Sequence, residues 1–183
     1  MTRDEALSIL HEFTQTESLR KHAYAVEAAM RGYARKLGGD EEYWGVVGLL
    51  HDFDWEIHPE LPDHPLKGAE ILRERGVAEE LVQDVLSHAD FGGVPRDTPL
   101  RKALFAVDEL SGFVIAVALV RPSRSLDDLE PKSVRKKLKD KSFAAAVNRD
   151  EIQQGAEALG LSLDEHIANV IAALRDVSAE VGL

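Results

Sequence analysis

Apolar residues recur at three- and four-residue intervals along most of the chain, and no run alternates in the two-residue rhythm of a strand. Thr2 followed by Glu5 reads as a capping box that opens a helix reaching about Phe13. Glu17 to Leu37 repeats apolar positions at helical spacing and stops at Gly38-Gly39, a C-terminal signal. A third helix is predicted from Glu41 to about His51, and a segment punctuated by Pro59, Pro62 and Pro65 follows it. Further helices are expected over His64–Arg75 and Ala78–His88. Thr98 with Pro99 then opens a long apolar helix to about Val120. Arg121-Pro122-Ser123-Arg124 breaks that pattern. After the basic stretch Lys132–Lys141, Asn148 with Glu151 and Ser162 with Glu165 start two more capped helices, the last running to the C-terminus. The pattern predicts an all-α protein, one irregular bundle of about eight or nine helices over residues 1–183, without repeats, low-complexity tracts or linkers.

A chain of 183 residues can bury roughly 70% of its unfolded surface, enough that folding does not depend on a metal or a disulfide. Any metal is therefore expected to serve chemistry. Cysteine is absent, which removes disulfides, thiolate metal sites and cysteine nucleophiles and leaves histidine and carboxylate as the available ligands. With 22 Lys and Arg against 33 Asp and Glu, the formal charge of −11 argues against a general nucleic-acid-binding role. The N-terminus begins with a capped helix and no apolar signal segment, and the most apolar stretch, Ala103–Val120, contains Asp108 and Glu109 and makes a poor membrane span. These features predict a soluble cytoplasmic protein of undetermined oligomeric state.

Asp108 stands within Ala-Leu-Phe-Ala-Val-Asp-Glu-Leu, a segment that must be largely buried. An unpaired carboxylate there would cost several kcal/mol, so Asp108 needs a cation, a salt bridge or strong hydrogen-bond donors. His51-Asp52 ends a helix whose last turn is apolar, which starts both side chains near the interior. A lone core histidine is usually a hydrogen-bonded residue, but imidazole beside carboxylate also suits Zn, Mn or Fe. Phe53 and Trp55 are placed to shield the pair. His22 lies on an apolar helix face, His64 opens a helix and His88 ends one. His11, His58 and His166 fall outside this set and read as surface or capping residues. Trp44 and Tyr24 read as core or semi-buried aromatics.

In that order these residues resemble the HD superfamily of metal-dependent phosphohydrolases, whose pattern is a histidine, a His-Asp doublet and a distant aspartate on a helical bundle. The resemblance spans roughly Glu17 to Arg124 and implies His22, His51, Asp52 and Asp108 as ligands of one divalent ion (Mn, Fe, Zn, Co or Mg). It places the metal-site core at about 17–124, with the C-terminal helices of 131–183 packed on it. Some members hold a second ion through two further histidines. His64 and His88 fall in that order, with Asp52 as the bridge. The cyclic-dinucleotide phosphodiesterase and di-iron oxygenase branches are similar in this respect, but Trp55 replaces their usual lysine. Ala89 after His88, and Val94 before Pro95, depart from the paired histidines and Gly-Tyr-Pro loop of the phosphodiesterases.

The resemblance implies hydrolysis of a phosphate ester, a nucleotide or other small phosphorylated metabolite, by metal-activated water at a site centred on Asp52. A di-iron oxygenase or a non-catalytic regulatory protein on the same scaffold are the alternatives. Asp54 and Glu56 are candidates for a general acid or base, or else solvated surface carboxylates. Arg121, Arg124, Lys132 and Lys136 are the cations expected to meet substrate phosphate, with a solvated helix face as the other reading of the basic stretch.

Overall fold

A computed structural model describes residues 1–183 and contains ten α-helices and no strand. They are α1 (Arg3–Phe13), α2 (Glu17–Leu37), α3 (Glu41–Leu50), α4 (Asp63–Glu74), α5 (Glu79–Leu86), α6 (Pro99–Leu119), α7 (Pro131–Leu138), α8 (Arg149–Ala158), α9 (Leu163–Arg175) and α10 (Ser178–Val181). A single 3-10 turn, Asp90–Gly92, follows α5. The capping boxes at Thr2 and Ser162 form as the spacing predicts, and the Thr98 side chain accepts from the Arg101 amide at the start of α6. Gly38 ends α2 at φ 74°, a left-handed conformation that costs glycine nothing.

The two 21-residue helices organise the rest. α2 packs against α3, α6 and α9, while α6 also receives α8 and α9. All ten helices contribute side chains to one buried apolar cluster, from Ala6 and Leu10 in α1 to Val181 in α10. Gly48 sets how closely α3 approaches α2. A Cβ there would stand 3.0 Å from the Glu27 backbone, so any larger residue would push the end of α3, and His51 with it, away from α2. Glu27 is buried, and its carboxylate is met by Arg3 at 2.6 Å and Arg31 at 3.0 Å, which ties α1 to α2.

Two expectations are corrected here. The last helix does not run unbroken to the C-terminus: it ends at Arg175, and Ser178–Val181 forms a separate turn. His166 is not a surface residue. It is 0% exposed, with Nε2 2.8 Å from the Ala106 carbonyl and Nδ1 2.6 Å from the Tyr33 hydroxyl. Its position in the first turns of α9 resembles a capping site, but that face of the helix turns inward onto α2 and α6. The carbonyl can only accept, so Nε2 donates to Ala106 and Nδ1 accepts from Tyr33, leaving a neutral ring. No helix of the protein is long and apolar enough to cross a membrane.

Burial pushes the His166 pKa down from 6.5 to about 4, although its bond to Ala106 opposes this. A group with a depressed folded pKa contributes fully above its unfolded pKa, and that contribution is lost as pH falls through the window. Stability carried by His166 should therefore decline between about pH 6.5 and 4, by at most about 1.4 kcal/mol per pH unit. Urea unfolding of wild type and His166→Gln at several pH values should show the gap between them narrowing across that window. A constant gap would refute the assignment.

Candidate metal centre

Two histidines are aimed by the same local device. His51 caps the end of α3, with Nδ1 2.7 Å from the Gly48 carbonyl; His88 follows α5, with Nδ1 2.7 Å from the Val85 carbonyl. Each donates Nδ1–H to the carbonyl three residues back, which leaves Nε2 of the neutral ring as a lone-pair donor pointing away from its helix. His64 is aimed differently. It precedes Pro65, which keeps it extended (φ −77°, ψ 133°) at the mouth of α4, and its Nδ1 lies 3.0 Å from Asp54 Oδ1. His22 comes from the second turn of α2 and Asp108 from the middle of α6.

These side chains converge into two groups that share Asp52. In the first, His22 Nε2 lies 3.2 Å from His51 Nε2 and 3.0 Å from Asp108 Oδ1, and His51 Nε2 lies 3.4 Å from that same oxygen. Asp52 Oδ2 completes the group, 3.5 Å from His51 and 4.0 Å from His22. In the second, His64 Nε2 and His88 Nε2 stand 3.0 Å apart, with Asp52 Oδ1 3.2 and 3.3 Å from them. Ligands about 2.1 Å from an ion are separated by about 3.0 Å in an octahedron and about 3.4 Å in a tetrahedron. The donor atoms fit divalent ions in spacing and in chemistry.

The electrostatics agree. Burial disfavours a charged His51, but Asp52 and Asp108 outweigh it and lift the ring to about 9. His64 is likewise opposed by burial and raised to about 9 by Asp52 and Asp54. Burial also works against the charged forms of Asp52 and Asp108, yet the neighbouring imidazoles, His51 foremost, hold both below the usual carboxylate range. The site thus draws positive charge onto the Nε2 positions, where a proton and a metal ion compete.

Five of the six donors line a cleft of about 470 Å³, with His51 buried behind them, and the wall also includes Trp55, Phe91, Arg96, Glu109 and Glu151. Trp55 stands edge-on to His64 with ring centroids 4.9 Å apart. Arg96 donates to the Ser87 and His88 carbonyls, pairs with Asp90 at 2.9 Å and lies 3.9 Å from the centre of the Phe105 ring. Burial, with the Asp108 charge second, raises Glu109 to about 7; the same two causes raise Glu151.

The family matched by the sequence is the HD domain, over residues 19–112, a span that holds all six donors. The chain belongs to the HD domain family. Among curated proteins this HD domain is similar to Ribonuclease Y of Thermosipho melanesiensis, 30% identical over 160 residues, which cover 85% of this chain and 30% of that relative. It therefore spans less than a third of the relative's length. No solved structure matches. Members of the family form a superfamily of metal-dependent phosphohydrolases, and this HD domain has two donor groups that could hold divalent ions.

Other residues singled out in the sequence lie elsewhere. Asp54 is 1% exposed and turned from the cleft, accepting from His64 Nδ1 and from the Gly68 amide at 2.9 Å. Glu56 accepts from the Gln15 and Thr16 amides at 2.7 and 2.9 Å, at the entry to α2. None of Arg121, Arg124, Lys132 and Lys136 lines the cleft. Arg121 pairs with Asp128 at 2.7 Å, beyond the end of α6.

 From Asp108 to the end of α6 the helix rises about 16 Å, so Arg121 stands well clear of the donor groups. Lys132 and Lys136 are exposed on α7. The wall residues Arg96, Glu109 and Glu151 went unassigned in the sequence. Glu109 had the one usable signal, a second carboxylate beside Asp108 in an apolar helix.

Metal content of variants tests the two groups. Asp52→Ala should bind neither ion, whereas His88→Ala should lose one and keep the other. A Cβ on Gly68 would meet the Asp54 carboxylate at 2.5 Å, so Gly68→Ala should push Asp54 off His64. Affinity for the second ion should then fall about 10- to 100-fold, with the first unchanged, in a metal titration. Two ions retained by Asp52→Ala would refute the shared carboxylate.

Proposed function

We propose that this HD domain is a metal-dependent phosphoesterase that hydrolyses a small phosphate ester, a nucleotide or other small phosphorylated metabolite, with divalent ions that the two donor groups sharing Asp52 would hold. The observation that carries the reading is the pair of donor groups sharing that one carboxylate at the floor of a cleft. Divalent ions held there would lower the pKa of a water toward neutrality and polarise a phosphoryl oxygen.

The chain's own residues fix the geometry around this chemistry. The Gly48 and Val85 carbonyls hold the tautomers of His51 and His88, and Asp54 holds His64, so the donors are oriented before substrate arrives. Trp55 covers one side of His64. Arg96 is the one Lys or Arg on the cleft wall. Its Nε and Nη2 are taken by carbonyls and Asp90, and Nη1 is left to meet a phosphoryl oxygen. From Ribonuclease Y, whose name denotes RNA cleavage, we carry over phosphodiester hydrolysis as a bond type to test, since the chain spans only 30% of that relative.

Phosphate or alcohol release should be followed after loading with Mn, Fe(II), Co, Zn or Mg, on p-nitrophenyl phosphate, bis(p-nitrophenyl) phosphate and nucleoside monophosphates. Turnover is expected with at least one ion, and Asp52→Ala should lower kcat/KM by at least about a hundredfold. No release with any ion would overturn the reading. The six-donor set also suits a di-iron oxygenase, and substrate-dependent dioxygen uptake by the iron-loaded protein would decide for that alternative.

A further inference from the structure

Apart from the six donors, the cleft wall carries three carboxylates, Asp90, Glu109 and Glu151, against the single cation Arg96. Asp90 and Arg96 pair with each other. Glu109 and Glu151 are half-buried, and Glu151 accepts only a neutral donor, the Asn148 side-chain amide at 2.6 Å from Oε1. Neither takes part in coordinating the two donor groups. The lip beside them is apolar: Phe91 is 54% exposed, Leu61 55% and Trp55 37%.

Two carboxylates that pair with no Lys or Arg side chain, on the same cleft wall as exposed aromatic rings, favour a positively charged group. Arg96 has one free terminal nitrogen, enough for one phosphoryl group. The ions at the donor groups and Arg96 would take one phosphoryl group, and the further charges of a polyphosphate would fall against Glu109 and Glu151. A volume of about 470 Å³ is that of a small-molecule site.

We propose that the cleft selects a monophosphate ester whose alcohol carries an ammonium group, with Glu151 and Glu109 facing the cation and Phe91 and Trp55 flanking it. This rests on the phosphoesterase reading of the same site. Hydrolysis would break the P–O bond, add the elements of water across it, and release inorganic phosphate and the ammonium-bearing alcohol. Glu151 is the specificity-determining residue in this arrangement, since it lies on α8, away from the donor residues in sequence.

Binding to the metal-loaded full chain, by calorimetry, should be compared for phosphocholine, phosphoethanolamine, glycerol 3-phosphate and ATP, with phosphate release measured in parallel. The cationic esters should bind about tenfold or more tightly than glycerol 3-phosphate, and ATP most weakly. Glu151→Gln, which keeps the bond to Asn148, should bring the ratio of cationic to neutral ester close to one. Glu109→Gln should lower the same ratio. Helical content by circular dichroism verifies that each variant is folded. Equal or tighter binding of glycerol 3-phosphate or ATP, a preference that survives Glu151→Gln, or binding of none of the four would overturn the proposal. Cation-selective binding without phosphate release would support it and overturn the hydrolase reading instead.

Discussion

The Nε2 atoms of His64 and His88 stand 3.0 Å apart, with the Asp52 carboxylate beside both. Their Nδ1 positions are already engaged, by Asp54 and by the Val85 carbonyl, so the nitrogens that face each other are the ones left to bind a cation. Two neutral rings would set lone pair against lone pair. Positive charge between the donors relieves that contact, and His22, His51 and Asp108 repeat the arrangement on the other oxygen of Asp52. Much of the helix packing can be understood as holding these groups in register. Gly48 lets α3 close on α2, Pro65 holds His64 extended in the first turn of α4, and α6 brings an aspartate into an otherwise apolar core.

The parts of this that were legible in the sequence are those encoded locally. Helix starts follow from capping residues such as Thr2, Asn148 and Ser162, and the burial of Asp108 follows from its apolar neighbours. The doublet His51-Asp52 at a helix end was legible for the same reason. What periodicity does not encode is which faces meet. Asp54 read as a general acid or base or else a solvated surface carboxylate, but the return of α4 places Gly68 and His64 against it and buries it. His166 looked peripheral at the start of a helix, and only the docking of α9 on α2 encloses it. Arg96 lies in an irregular loop with no periodic signal, and its place on the wall depends on the Ser87 and His88 carbonyls it reaches.

The basic segment illustrates how little a charge run says about its destination. Arg135 pairs with Asp164 at 2.7 Å, and Lys137 lies over the Phe143 ring at 4.6 Å. Val134 buries the opposite side of α7. These cations fasten one helix to its neighbours and face water, while the cleft itself carries five carboxylates against the single cation Arg96. The net charge of −11 is thus mirrored at the site, where the local excess of negative charge is the complement of the ions the donors fit.

The division of Asp52 between the two groups has a thermodynamic consequence. Ligands that share one carboxylate cannot bind independently: whatever the first does to the charge and orientation of Asp52 changes the affinity left for the second, and the change is reciprocal. The free concentration of metal around the protein, rather than the donor set alone, would then decide how many of the two groups are filled. Ions held by both donor groups would fill them as coupled sites, with the coupling carried by one side chain.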